Sequence, residues 1–246
     1  MRKTINVIII FCMLSAFIPF GNFASAEKLP DNLTNSNSLK NDSLTSENQT
    51  KKRIELEEER TEFSKTFDNL DGTLSTEITQ VPQHFMNEQG QWKDIQNNLV
   101  SNNNGGYANK ENKFSVEFDE KINNESTGLK LKEDEYELNL QLTNLVNESE
   151  ESLQPSTGIV EDNQITYSEI FDEISATYTV GENFIKEDII IDNPPKNGLP
   201  EKFTYTLDLN GLTYEEIDNK IYLYDAITSE PIFMIEAPFM YDDLHQ

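Results

Sequence analysis

The chain has 246 residues and sets 19 Lys and Arg against 45 Asp and Glu, a formal net charge of −26. So acidic a surface repels nucleic acid and anionic lipid, which bind proteins through Lys and Arg, and it favours solubility. The single cysteine, Cys12, excludes a disulfide framework, and two histidines, His84 and His245, exclude a metal site built from several His ligands.

Residues 1–26 read as a secretory signal peptide. Arg2 and Lys3 give a positive start, Val7 to Ile18 is apolar, and Ala24-Ser25-Ala26 has the small-x-small pattern of a cleavage site. Pro19 and Gly21 end the apolar run before it is long enough to span a bilayer comfortably. Phe11 before Cys12 argues against lipidation, because a lipobox needs a small residue there. Cleavage predicts a mature chain starting at Glu27, located outside the cell or on its wall and away from the membrane. That chain loses only Arg2 and Lys3 from its charges, leaving 17 basic against 45 acidic residues over 220 positions, a net of −28. It also loses Cys12, which suits a bacterial export product better than a small eukaryotic secreted domain.

Residues 27–58 are predicted to be a polar linker. The part up to about residue 50 is rich in Asn and Ser without aromatics, so burial there cannot offset ordering entropy. Residues 51–60, KKRIELEEER, have the helix formers for a short helix or a helical turn. From residue 59 to 246 the texture is that of a mainly β protein, an antiparallel β-sandwich-like domain. Asp71-Gly72 lies between two alternating runs and signals a hairpin. A second hairpin is predicted from Val81–Met86 across Asn87-Glu88-Gln89-Gly90 to Trp92–Ile95. Residues 97–112 read as a polar loop. Strands are expected at 113–118, 128–132, 135–142, 164–168, 174–180, 183–191, 202–209, 212–217, 220–224 and 231–235, with turn residues at short spacing between them. The acidic stretch 143–163 is the best internal break, either a long loop or the join between two β lobes.

Several stretches are similar to the β-rich N-terminal region of Bacillus-type wall-associated, YD-repeat (RHS-like, DNRLRE-containing) secreted proteins. They are Arg60 to Thr73, Glu77-Ile78, Pro82 to Phe85 and Asn87 to Leu99 with Gly90, Trp92, Asp94 and Ile95. Tyr167 to Phe171, Ala176-Thr177-Tyr178, Ile185-Lys186-Glu187 and Ala237 to Asp242 continue the match in the same order. The resemblance spans about residues 59–246. It implies a non-catalytic leader module that precedes a DNRLRE-type module and YD repeats. Its implied partners are cell-wall polymers or downstream modules of the same protein. This sequence stops at Gln246, where the next module would begin, so the resemblance carries over no killing activity and implies a truncated or split gene.

No catalytic, cofactor or metal residues are assigned. His84, beside Pro82 and Phe85 on a predicted strand, reads as a packed or surface side chain rather than a base. No G-x-S-x-G elbow supports a Ser-His-Asp site. Glu57-Glu58-Glu59, Glu133-Asp134-Glu135 and Glu148 with Glu150-Glu151 read as solvated faces or loops. Asp68 to Gly72 has Leu70 and Gly72 where a calcium loop needs oxygen ligands, so the turn accounts for its residues better. Trp92, Tyr107, Tyr222 and Tyr224 are candidates for a sugar-binding surface, the basis of the alternative reading as a stand-alone polysaccharide-binding module. For Trp92 itself, a place in the core of its hairpin is the stronger expectation.

Overall fold

A computed structural model of the protein describes residues 5–13, 52–126, 128–146 and 150–242. The expected cleavage site, the linker up to residue 51, Glu148 and His245 lie outside the described residues. In chain order the first strands are β1 (Ile5–Met13), β2 (Ile54–Glu55), β3 (Ser64–Asp68), β4 (Leu74–Ile78), β5 (His84–Met86) and β6 (Trp92–Asp94). They are followed by β7 (Gln96–Ser101), β8 (Gly106–Glu111), β9 (Phe114–Asp119), β10 (Lys121–Ile122), β11 (Leu129–Glu133) and β12 (Tyr136–Val146). Next come β13 (Glu150–Ser152), β14 (Ser156–Glu161), β15 (Gln164–Phe171), β16 (Ile174–Val180) and β17 (Phe184–Ile191). The last are β18 (Lys202–Asp208), β19 (Leu212–Ile217), β20 (Lys220–Asp225), β21 (Pro231–Ile235) and β22 (Phe239–Asp242). The fold is mainly β and antiparallel.

Two large sheets carry the core. One has the order β10-β14-β15-β16-β17-β1-β21-β20-β19, with β22 also on β1; the other has β13-β12-β11-β9-β8-β7, with β18 also on β12. Their strands alternate because one face meets the opposite sheet and the other meets water. Ile174, Ala176, Tyr178 and Val180 of β16 are buried, as are Ile185, Glu187, Ile189 and Ile191 of β17. Facing them, Val116 and Phe118 of β9, Leu129 and Leu131 of β11 and Leu138 and Leu140 of β12 are buried too. Two smaller ribbons precede the sandwich, β2-β3-β4 and β5-β6.

Two stretches depart from the sequence reading, and a third takes one of its two expected forms. Within residues 52–60 it is the helical turn rather than the short helix that forms, a single 3-10 turn at Glu57–Glu59 that follows β2. Pairing of Ile54 and Glu55 with Asp68 and Phe67 fixes that segment as extended backbone. Residues 97–112, expected as a loop, form most of β7 and all of β8. There Gly106 lets the chain pass close to β9, since an added Cβ would lie 2.2 Å from the Phe118 carbonyl oxygen. The acidic stretch 143–163 carries the end of β12, β13 and β14. Leu145 and Leu153 from it belong to one buried cluster that also holds Leu99 to Leu142 and Ile165 to Ile235.

β1 holds the part of the leader's apolar run that lies among the described residues, Val7 to Met13. It pairs with β17 over Ile5–Cys12 on one side, and on the other with β21 at Phe11–Met13 and β22 at Ile5–Ile8.

Candidate functional site

The β5-β6 hairpin stands against the end of the sandwich and leaves a cleft on each side. His84 pairs with Asp94, Phe85 with Lys93 and Met86 with Trp92. Its turn closes because the Asn87 side-chain oxygen accepts from the backbone N–H groups of Gln89 and Gln91, at 3.1 and 2.9 Å. The hairpin is seated by the N–H groups of Gln83 and His84, which both donate to the Glu62 carbonyl at 2.8 and 3.2 Å. His84 is fully buried. Its Nδ1 donates to the Thr61 carbonyl at 2.7 Å, so the ring clamps β5 to the segment before β3. Nε2 lies 3.5 Å from Asp94 Oδ1 without a hydrogen bond. The packed reading of His84 is therefore the one the structure gives.

The first cleft, about 240 Å³, has Phe85, Trp92, Pro82 and Phe114 as apolar walls and Glu62, Asn112, Lys113, Glu133, Glu182 and Asn183 as polar lining. Trp92 is half-buried and outside the main core cluster, which corrects its expected place in a core. The hairpin is a two-stranded sheet of its own, and its large aromatic ring lines the cleft. Glu133 also departs from expectation. It is 8 % exposed and ion-paired with Lys113, whereas its neighbours Asp134 and Glu135 are exposed. Asn112 holds the floor by donating to Asn97 Oδ1 and to the Glu182 carbonyl, both at 3.0 Å.

The second cleft, about 460 Å³, is more open and polar, with Lys65, Asp94, Asn97, Asn98, Asp162 and Thr179 on its walls. Lys65 donates to Asp94 at 2.7 Å, and Arg60 lies 3.5 Å from the same carboxylate. The hydrogen bond from Lys65 holds the Asp94 carboxyl below the usual range, against the opposing pull of its partial burial. Arg60 does the same to Glu55 through a 2.7 Å hydrogen bond.

The other sequence candidates fall elsewhere. Tyr222 and Tyr224 stack on each other along β20, and Tyr107 packs on the core from β8. None of the three lines the Trp92 cleft. The Asp68 side chain accepts from Leu70 N–H at 2.8 Å, and Asp71 accepts from the N–H and hydroxyl of Thr73 at 3.1 and 2.6 Å. These are the bonds of a turn, with Gly72 at a φ of +86°. Among the described residues no group of three His, Cys, Asp or Glu is placed to hold a metal.

Sequence reading passed over Glu187. It is completely buried on β17 and accepts from the Tyr178 hydroxyl at 2.5 Å and the Tyr205 hydroxyl at 2.9 Å. Burial pushes its carboxyl up to about 7, with the tyrosine bonds acting the other way. An acid on the inward beat of an otherwise apolar alternation, Ile185-Lys186-Glu187-Asp188-Ile189, is the signal that marks it. Comparison of the chain with family models, with curated proteins and with solved structures returned no match.

Proposed function

We propose that this chain is a non-catalytic extracellular β module that holds a cell-wall polysaccharide in the cleft beside the β5-β6 hairpin. The observation that carries this reading is the pairing of half-buried Phe85 and Trp92 with a polar lining from Glu62, Asn112, Lys113 and Asn183. Sugars present apolar C–H faces and a rim of hydroxyls, which such a mixture of rings, amides and charges complements. The Lys113–Glu133 pair and the His84–Thr61 bond engage two of the groups best suited to acid–base work, which favours binding over chemistry.

The test is retention of the secreted protein on purified bacterial cell walls, with and without calcium. Trp92→Ala should lower retention by about tenfold, the effect of losing one stacked aromatic anchor, while Tyr222→Ala on β20 should leave it unchanged. Equal retention of Trp92→Ala and the parent would sink the proposal. The ordered similarity of the short stretches from Arg60–Thr73 and Asn87–Leu99 through Tyr167–Phe171 to Ala237–Asp242 with wall-associated YD-repeat proteins favours a second role, as the leader module of such a protein. Reading the DNA beyond codon 246 checks it, and an unrelated gene on the opposite strand would count against it.

A further inference from the structure

Among the described residues, β1 is the only strand that joins β17 to the β19-β20-β21 part of the larger sheet. Its eight pairings with β17 run antiparallel, from Ile5 opposite Ile191 to Cys12 opposite Phe184. Its far side is taken by β21 and β22 together. The sequence meanwhile marks the same residues as an export leader, removed at Ala26. Both can hold only if the exported protein carries a gap one strand wide in its main sheet.

We propose that this gap is a strand-acceptor site, which in the exported protein takes an extended segment of a partner polypeptide, about eight residues long, antiparallel to β17 and apolar at every second position. The inference rests on the reading of residues 1–26 as a cleaved leader. An empty gap leaves alternate backbone N–H and C=O groups of β17 and of the β21-β22 edge without partners, a costly state for buried backbone. It also uncovers the flank of a row that is otherwise buried, Ile185, Glu187, Ile189 and Ile191.

Closure of β21 directly onto β17 requires a shift of about 4.8 Å, one strand spacing. The β19-β20-β21 unit is held against that shift. Leu223 and Phe233 are buried in the core, and the Tyr136 hydroxyl donates to Asp225 at 3.1 Å from the opposite sheet. Strand addition from outside satisfies the edges without moving either part.

The seat also defines the occupant. In an antiparallel pair, residues directly opposite each other share a face. Positions opposite Ile185, Ile189 and Ile191 must therefore be apolar, and the position opposite Glu187 must be small or apolar enough to leave its carboxyl to Tyr178 and Tyr205. On the other face, half-buried Lys186 and Asp188 pair at 2.9 Å, so an occupant is free to carry polar residues there. The leader sequence is apolar at both beats from Val7 to Leu14, more than the seat asks and what translocation needs.

The experiment starts from the full chain exported by a bacterial host, with the N-terminus of the secreted protein read by mass spectrometry. The probe is a fluorescent peptide of residues 5–13 with Cys12→Ser and a C-terminal lysine tail. The control peptide adds Ile8→Pro and Ile10→Pro, which remove backbone donors without removing apolar character. The expected result is an N-terminus at Glu27, saturable one-to-one binding of the probe, and at least about tenfold weaker binding of the proline control. Hydrogen exchange should slow over 184–191 and 233–241 only when the probe is bound. An intact Met1 overturns the cleavage reading and with it the open site. An N-terminus at Glu27 with residues 184–191 already protected and no probe binding leaves the leader reading standing and overturns the acceptor site. So does a dimer closed through β17 that the probe does not compete with.

Discussion

The β3-β4 hairpin and the β16-β17 pair share one design, two antiparallel strands in register along their full length. Their burial differs completely. Every second residue of β16 is buried, while β4 has no buried residue and leaves Leu74 and Ile78 65 % and 76 % exposed. Alternation makes a strand, but only an opposing sheet makes a core. The sandwich is held by apolar packing. The ribbons are held by polar contacts, with Arg60 on Glu55, Lys65 on Asp94, and the Arg53 guanidinium 3.8 Å above the Phe67 ring.

The strongest way to break this contrast is to truncate one aromatic in each region. Phe171, 1 % exposed in the sandwich, should cost about 3–5 kcal/mol when replaced by Ala, from lost transfer energy and the cavity left behind. Phe67→Ala in the ribbon should cost about 1 kcal/mol, the range of a surface cation–π contact. Urea unfolding of the two variants decides it, and equal costs would mean that the ribbons share the core.

The regions should also respond to pH with opposite signs. Glu187 titrates near 7 in the folded protein and near its ordinary value of 4.5 when unfolded. Between those values the native state holds the extra proton, so stability falls as pH rises through the window. The full loss, present above pH 7, is about 3 kcal/mol. Glu187→Gln, a neutral mimic, should flatten the profile. Asp94 and Glu55 are shifted down, so their contribution is present above the ordinary carboxylate range and is lost as pH falls below it. Thermal melts from pH 3.5 to 8 should show sandwich unfolding move down as pH rises. Hydrogen exchange in residues 54–78 should speed up only at the acid end.

How much of this was legible in sequence follows the same division. β16 and β17 announce themselves because Ile, Val, Ala and Tyr fill the inward positions of both strands except for Glu187 on β17. β7 and β8 do not, because an inward position is filled by Asn109. That side chain donates to the Phe114 carbonyl at 3.0 Å and accepts from Val116 N–H at 2.9 Å, so a polar residue is satisfied inside and the alternation is broken. Trp92 misled for the opposite reason. A lone tryptophan after a turn has the look of a core anchor, and nothing local reveals that its hairpin stands outside the sandwich. The cleft is invisible for the same cause, since it joins residues from 62 to 183 that only the fold brings together. So is the seat of β1, whose partners lie beyond residue 183.

A smaller effect sharpens the account of the ribbons. The Arg60 side chain is 8 % exposed, with Glu55 at 2.7 Å and Asp94 at 3.5 Å. Arg60→Ala should cost about 1 kcal/mol, because both carboxylates keep contact with solvent or with Lys65. The cost should shrink in 1 M NaCl, where screening reaches about 3 Å. An effect independent of salt would assign the role of Arg60 to its packed stem.

The smallest expected effect concerns calcium. The mature chain expected from leader cleavage, at a net charge of −28, repels itself, and monovalent salt screens that repulsion beyond about 10 Å at 0.1 M, so the melting temperature should rise with salt. Calcium at matched ionic strength should add less than about 1 °C, because a specific gain requires several oxygens converging on one point. The side chains of Asp68 and Asp71 are committed to the N–H groups of their own turn. Glu150 accepts from Asn144 at 2.7 Å and Glu151 from Asn197 at 2.8 Å, so these two acids have separate partners. Parallel scans in sodium and calcium chloride settle the point. A calcium-specific rise of several degrees would require these side chains to leave their present bonds and converge, with the ribbon turn at residues 68–72 as the first place to look.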